Sequence, residues 1–117
     1  MAKQSRPTLP KEREALYRMQ AQICRVLAHP RRLQILDLLA SGEKSSSELL
    51  SALGCSKVNL SQHLALMKGA GLVESRAQGR EAFHRLAFTE IKDACGMIRT
   101  VLARRLESGF RLARALQ

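Results

Sequence analysis

The sequence is poor in aromatic residues. Tryptophan is absent and aromatic residues make up 3% of the 117 positions, whereas hydrophobic residues as a group make up 45%. A core must therefore be built mainly of Leu, Ile, Val, Ala and Met, a composition that favours helices. The length is that of one domain, and the apolar content is sufficient for a compact core.

Acidic residues are scarce relative to basic ones. Twenty Lys and Arg stand against ten Asp and Glu, giving a formal net charge of +10 and an isoelectric point near 10.6. This imbalance is expected of a protein whose partner is a polyanion. No stretch approaches a transmembrane helix in length, and the opening MAKQSRPTLP lacks the apolar core of a signal peptide. We therefore expect a polyanionic partner, no membrane, and a cytoplasmic location.

Cysteines are few and widely separated. The three, at Cys24, Cys55 and Cys95, form no C-x-x-C pair, so neither a disulfide scaffold nor a zinc ribbon is indicated. Paired carboxylates, a nucleophile with a base, and a Gly-rich phosphate loop are all missing at recognisable spacings. The sequence thus predicts neither an enzyme nor a required cofactor.

The most informative segment runs from residue 41 to residue 89. Ser45 and Glu48 have the spacing of a capping box at the start of one helix, and Gly54 would end that helix in the left-handed conformation. After a tight turn, Ser56 would cap a second helix. The apolar stripe of this second helix consists of Leu60, Leu64 and Met67. This arrangement is typical of a helix-turn-helix.

The opposite face of the second helix is polar. Its side chains can donate to or accept from base edges in a major groove, where each base pair has a distinct hydrogen-bonding pattern. The predicted contacts are Lys57, Asn59, Ser61, Gln62 and His63. We interpret this helix as the recognition helix.

A basic β-hairpin is predicted next, over residues 72–86. Gln78 and Gly79 would form its turn, since Gly79 allows the positive φ that a hairpin connection needs. Arg76 and Arg80 lie on or near this hairpin, where they are well placed for phosphate or minor-groove contact. The hairpin would act as a wing beside the recognition helix.

Further helices are predicted before this segment. Residues 1–9 are polar and basic and indicate a mobile arm, and a first helix is predicted over about 10–28. His29 and Pro30 would break that helix, because the residue before proline is displaced from the α region. A short, mostly apolar helix follows, and Arg31 at its start is a candidate phosphate contact.

A last long helix is predicted after the wing, capped by Thr89 and interrupted at Gly109. The domain would then span 10–108, with a basic tail over 109–117.

The first and last helices have more apolar surface than so small a core covers, which predicts a twofold homodimer through these helices. The expected fold is mainly α (α+β), a winged helix-turn-helix of about five helices plus a two-stranded β-hairpin wing.

With these elements placed, the chain resembles the ArsR/SmtB family of small winged-helix repressors. The resemblance covers about residues 20 to 107 and rests on four segments: LAHPRRLQILDLL, SSSELLSALG, SKVNLSQHLALMKGAGLVE and GREAFHRL. The SQHL and AGLV pieces at their separation make the match specific. The resemblance implies a homodimeric repressor that binds an inverted-repeat operator and leaves it when a metal, metalloid or thiol-reactive signal binds.

The metal-sensing motifs of that family are not matched here. Where arsenic and cadmium members carry a C-V-C motif, this chain has Ser45, Ser46 and Ser47, which offer no soft sulfur. Zinc and nickel members use a histidine on the last helix, and the matching residue of this chain is Leu106. A metal(loid) at the cysteines therefore has no support from the usual motifs, and which metal would bind is unknown.

The cysteines remain as candidates for sensing. Cys24 and Cys95 lie on the two helices expected at the dimer interface, where paired thiols within disulfide reach would respond to oxidants or reactive sulfur. Cys55 lies in the helix-turn-helix turn and would complete a three-cysteine arsenite site. The alternative is that each cysteine is a small buried hydrophobic residue.

The histidines are isolated from one another in the sequence. His29 is expected to cap the following helix, His63 to face DNA, and His84 to occupy an exposed position on the wing.

Two alternative functions stay open: a constitutive or anti-repressor DNA binder without a ligand, and a winged helix that binds an acidic protein.

Overall fold

The computed structural model describes residues 11–116, which form five α-helices and a three-stranded antiparallel sheet. In chain order the elements are α1 (Lys11–Leu27), α2 (Pro30–Ala40), β1 (Lys44–Ser45), α3 (Ser46–Leu53), α4 (Lys57–Gly69), β2 (Val73–Gln78), β3 (Glu81–Leu86) and α5 (Glu90–Ala115). The arm predicted over 1–9, and the domain start at residue 10, lie outside the described residues.

The helix-turn-helix is defined by local capping interactions. Ser45 Oγ accepts from the Glu48 amide at 3.0 Å, and a Glu48 carboxylate oxygen accepts from the Ser45 amide at 2.9 Å, which completes the predicted capping box. Gly54 ends α3 with φ +66°. Ser56 Oγ then accepts from the Asn59 amide at 3.0 Å and caps α4. The predicted tight turn between the two helices is confirmed.

The wing has one strand more than predicted. β3 is central, with β2 on one side and the two-residue strand β1 on the other, where Lys44 lies opposite His84. Gln78 pairs with Glu81, so the turn consists of Gly79 and Arg80, one residue later than expected. A two-residue strand is too short to produce an alternating pattern, which is why the sequence did not show it.

The core is centred on α2, which contacts every other helix and β3. The buried hydrophobic residues come from α2, α3, α4, the first residue of β2 with the residue before it, and one position of α5. They are Ile35, Leu36, Leu39, Leu49, Leu60, Leu64, Met67, Leu72, Val73 and Cys95. α1 contributes no buried residue, so it lies on the outside of this core.

The last helix is longer and simpler than predicted. α5 continues without interruption to Ala115, so Gly109 does not break it and residues 109–115 are helical, not a separate tail. One glycine costs a helix about 1 kcal/mol relative to alanine, and the Leu, Arg and Ala residues around it favour the helix. Thr89 occupies the N-cap position of α5, as predicted, but its side chain makes no capping hydrogen bond.

Large apolar side chains are exposed along α1 and α5. They are Leu16, Tyr17 and Met19 on α1, and Met97, Ile98, Val101, Leu102, Leu106, Phe110 and Leu112 on α5. Exposed apolar surface of this extent is typical of an interaction site. Within residues 11–116, no helix combines the length and the apolarity needed to cross a membrane.

Candidate nucleic-acid interface

The α4 helix has one buried side and one exposed side. Leu60, Leu64 and Met67 are buried against the core. On the other side Lys57, Ser61 and Gln62 are exposed, and Asn59 is half-buried. The structure therefore leaves four of the five predicted recognition residues accessible.

His63 is the exception, and the structure corrects its predicted position. The side chain is 8% exposed, its Nδ1 lies 3.3 Å from Arg32 Nε as a hydrogen-bond acceptor, and its ring centroid is 4.6 Å from that of His29. Burial lowers the pKa of His63, and the neighbouring cations act in the same direction. The signal was present in the sequence, since His63 is three residues after Leu60 and four before Met67, the spacing of the inward stripe.

The cleft between α4 and the wing is lined by cations. Lys57 and Lys68 of α4 and Arg80 of the wing turn surround a cavity of about 460 Å³, together with Ser61. Among residues 11–116 none of these three cations is in an ion pair. The acidic residue in the lining, Glu81, accepts hydrogen bonds from Ser47 Oγ at 3.0 and 3.2 Å. The cleft therefore has an excess of positive charge suited to phosphate.

Arg76 braces the wing. Its guanidinium donates to Glu43 at 2.7 and 3.1 Å and to Gln78 at 2.6 Å, and lies 4.7 Å from the centre of the Phe83 ring. This hydrogen bonding holds the pKa of the Glu43 carboxyl below its ordinary value. The predicted phosphate contact would have to be shared with these interactions, which connect β2 to the segment before β1.

The arginines at the start of α2 are similarly engaged. Arg31 Nη1 donates to the Leu53 carbonyl at 3.0 Å and to Gln34 Oε1 at 3.3 Å, while Arg32 Nη1 donates to the Val26 carbonyl at 2.9 Å. They join α2 to the end of α3 and the end of α1. His29 Nδ1 accepts from the Arg31 amide at 3.1 Å, which confirms its predicted role as the cap of α2.

His84 is buried, contrary to the exposed position expected. It is 4% exposed, with Nε2 2.8 Å from Ser46 Oγ and Nδ1 2.6 Å from Ser75 Oγ. Burial lowers the pKa of His84. Because β1 and the first turn of α3 lie against β3, a position that would be on the outer side of a two-stranded wing is internal. His84 therefore joins the wing to α3.

Two of the cysteines line one cavity. Cys24, which is exposed, and Cys95, which is buried, border an apolar cavity of about 420 Å³ between α1, α2 and α5. Cys55 is half-buried against the core and is not part of that lining. Among residues 11–116 there is no group of three or more His, Cys, Asp and Glu side chains that could hold a metal ion.

A capped helix, a tight turn, a helix with an exposed polar face and a hairpin with a cationic tip together define a winged helix-turn-helix of the DNA-binding type. Residues 29–75 match the family of bacterial regulatory proteins described as the arsR family. The HTH-type transcriptional regulator Rv0081 of Mycobacterium tuberculosis is 40% identical over 94 residues, which cover 80% of this chain and 82% of that protein. The chain belongs to the arsR family; it is a transcriptional regulator and not an enzyme.

Solved structures agree with this assignment. The crystal structure of M. tuberculosis Rv0081 has a TM-score of 0.72 at 38% identity and covers 80% of this chain and 94% of its own. The homodimeric winged helix-turn-helix DNA-binding domain Mb0332 of Mycobacterium bovis has a TM-score of 0.75 at 34% identity, and the match covers 92% of this chain and 94% of that domain. Reduced HlyU of Vibrio cholerae has a TM-score of 0.70 at 35% identity, and the match covers 79% of this chain and 97% of HlyU.

Proposed function

We propose that a homodimer of this chain binds an inverted-repeat operator and represses transcription by occupying it. The main observation in support of this proposal is the exposed polar side of α4, which lies beside a cleft lined by Lys57, Lys68 and Arg80. A helix with its outer side free enters the major groove, and cations beside it neutralise the phosphates at the groove edge. A dimer seated on its operator excludes other proteins from the same stretch of DNA.

The DNA contacts divide into two classes. Asn59, Ser61 and Gln62 carry neutral donors and acceptors suited to base edges. Lys57 and Arg80 carry charge suited to phosphate oxygens. Arg31, Arg76 and Lys68 are further phosphate contacts at the margins of this surface. His63 is not among the contacts, because its ring is inside the protein.

The dimer would form through α1 and α5. Their large apolar side chains are 48–74% exposed in the described chain, and a twofold axis would cover both helices with the same surfaces of a second copy. Mb0332, a structure of the same fold, is described as homodimeric. Two copies of α4 would then reach successive major grooves, about 34–36 Å apart.

The experiment is selection of duplexes from a random pool by the native protein, followed by titration at several salt concentrations. The expected result is an inverted repeat whose affinity falls steeply with salt, bound by a dimer of this chain in sedimentation. Equal affinity for all duplexes would contradict the inverted-repeat operator, because it would mean that the protein binds DNA without sequence preference. Absence of salt-dependent duplex binding would favour the winged helix that binds an acidic protein. A cytoplasmic location is part of the same proposal, because a DNA target would lie there.

Thiol control is the second element of the proposal, supported by the cavity that Cys24 and Cys95 share. A hydroperoxide would join two thiols as a disulfide while being reduced to an alcohol and water. The new bond would change how α5 packs on α1 and α2, and so alter the orientation of the two α4 helices. A metal(loid) at the cysteines has less support, since the described residues form no cluster of ligands.

Gel-shift titrations test this element with reduced protein, oxidised protein and the Cys95→Ser variant. Oxidation should weaken operator binding by the native chain and leave Cys95→Ser unchanged. Cys55→Ser is the matched control, because Cys55 does not line the cavity, and it should respond as the native protein does. The same affinity in all states would show that the cysteines only fill space.

A further inference from the structure

The outer side of α4 carries an apolar residue that the DNA contacts above do not include. Val58 lies in the first turn of α4 and is 66% exposed. At 3.6 residues per turn, the positions pointing directly away from the buried stripe recur along the helix at intervals of three and four. These positions are Val58, Gln62, Ala65 and Gly69, all of them exposed. None of the four is charged.

This outer side differs from an ordinary solvated helix surface, which would carry charge at its centre. Here the charged residues Lys57 and Lys68 lie to one side, toward Arg80 and the wing. Ala65 has a short side chain, and a Cβ added at Gly69 would meet nothing within 4 Å, so the last turns of α4 allow close approach. An uncharged strip with cations along one side is complementary to a major groove, which has phosphates at its edges and base edges at its floor.

We propose that Val58 contacts the 5-methyl group of a thymine and thereby makes that thymine a determinant of specificity in each half-site. The inference rests on the proposed function and names what part of the operator the surface recognises. Thymine is the base that presents a methyl group in the major groove, and apolar side chains contact it there. Gln62, one turn further along, has the amide suited to adenine N6 and N7.

The size of the effect follows from the burial of one methyl group, which corresponds to about a fourfold change in affinity per half-site. Two half-sites bound by one dimer would give roughly fifteenfold. Because Val58 is exposed and alanine is the better helix former, the Val58→Ala variant should fold as the native chain does.

The experiment uses the duplex selected by the native protein, with each thymine replaced by deoxyuridine at the same place in both half-sites. One replacement should weaken native binding by roughly fifteenfold. Val58→Ala should bind the thymine duplex more weakly than the native protein does, and should distinguish thymine from uracil by clearly less than the native protein's roughly fifteenfold, because alanine buries less of the thymine methyl than valine does. Leu66→Ala is the matched control: Leu66 is 50% exposed on the same helix but lies two turns from Val58, so this variant should still distinguish thymine from uracil.

Three results would overturn the inference. Native binding that is unaffected by every uracil replacement would exclude a methyl contact while leaving sequence-specific binding, and so the proposed function, intact. A Val58→Ala variant that distinguishes thymine from uracil as strongly as the native protein does would assign the contact to another residue. Failure of the native protein to select any duplex would remove the proposed function and this inference together.

Discussion

Gln62 offers the sharpest test of how α4 recognises DNA. It is exposed near the centre of the outer side of α4, in the second turn of the helix. Its side-chain amide is able to make a bidentate pair with adenine, and such a pair contributes about 1–3 kcal/mol of discrimination. In a twofold dimer the contact occurs twice, so Gln62→Ala should remove about 2–6 kcal/mol from operator binding. That corresponds to a loss of roughly 30-fold to more than ten-thousandfold in affinity.

Binding to unrelated duplex should change little in the same variant. Gln62 is neutral, and affinity for random DNA depends on cations at the phosphates. Removal of an exposed side chain also alters stability by no more than about 0.5 kcal/mol. Fluorescence anisotropy on the selected operator and on a scrambled duplex, at one salt concentration, measures both effects. Ser51→Ala, which truncates an exposed side chain of α3, is the control for an effect of truncation alone.

The decisive quantity is the ratio of the two affinities. A large loss on the operator with a small loss on the scrambled duplex is the expected outcome. An equal loss on both duplexes would mean that Gln62 supports the structure of α4 or contacts phosphate. Unchanged affinity for both duplexes would refute the assignment of α4 as the base-contacting helix in this orientation.

Three further measurements test other parts of the structure. Arg80→Ala should weaken operator and random DNA alike and reduce the slope of log affinity against log salt by about 1 per protomer; an unchanged slope would exclude a phosphate contact. Burial lowers the pKa values of His63 and His84 below the ordinary 6.5, so the unfolded chain binds more protons than the folded chain, and the free energy of unfolding should fall as the pH decreases through 6.5. In urea titrations His84→Gln should show a smaller fall over this pH range than the native chain. An identical fall would exclude His84 as a source of the pH dependence. Leu49→Ala, at a fully buried site, should lower the free energy of unfolding by about 2–5 kcal/mol in urea, whereas Ser51→Ala, at an exposed site of α3, should change it by less than about 0.5.

The sequence alone determined the features that depend on residues close together in the chain. The capping box of Ser45 and Glu48, the left-handed Gly54 and the Ser56 cap are interactions within four or five residues, so their spacing is sufficient to predict them. The same holds for the hairpin and for the inward stripe of α4. These local signals specified a helix-turn-helix with a wing, and a net charge of +10 indicated its polyanionic partner.

Tertiary structure decided the positions whose environment comes from distant segments. His84 is internal because β1 and Ser46, 38 residues earlier, cover it, and His63 is held by Arg32, 31 residues earlier. Arg76 is engaged by Glu43, 33 residues away, which no local pattern reveals. Whether a polar side chain binds DNA or its own protein depends on which backbone and side-chain groups the fold brings within about 3 Å of it, and spacing along the chain does not encode that distance.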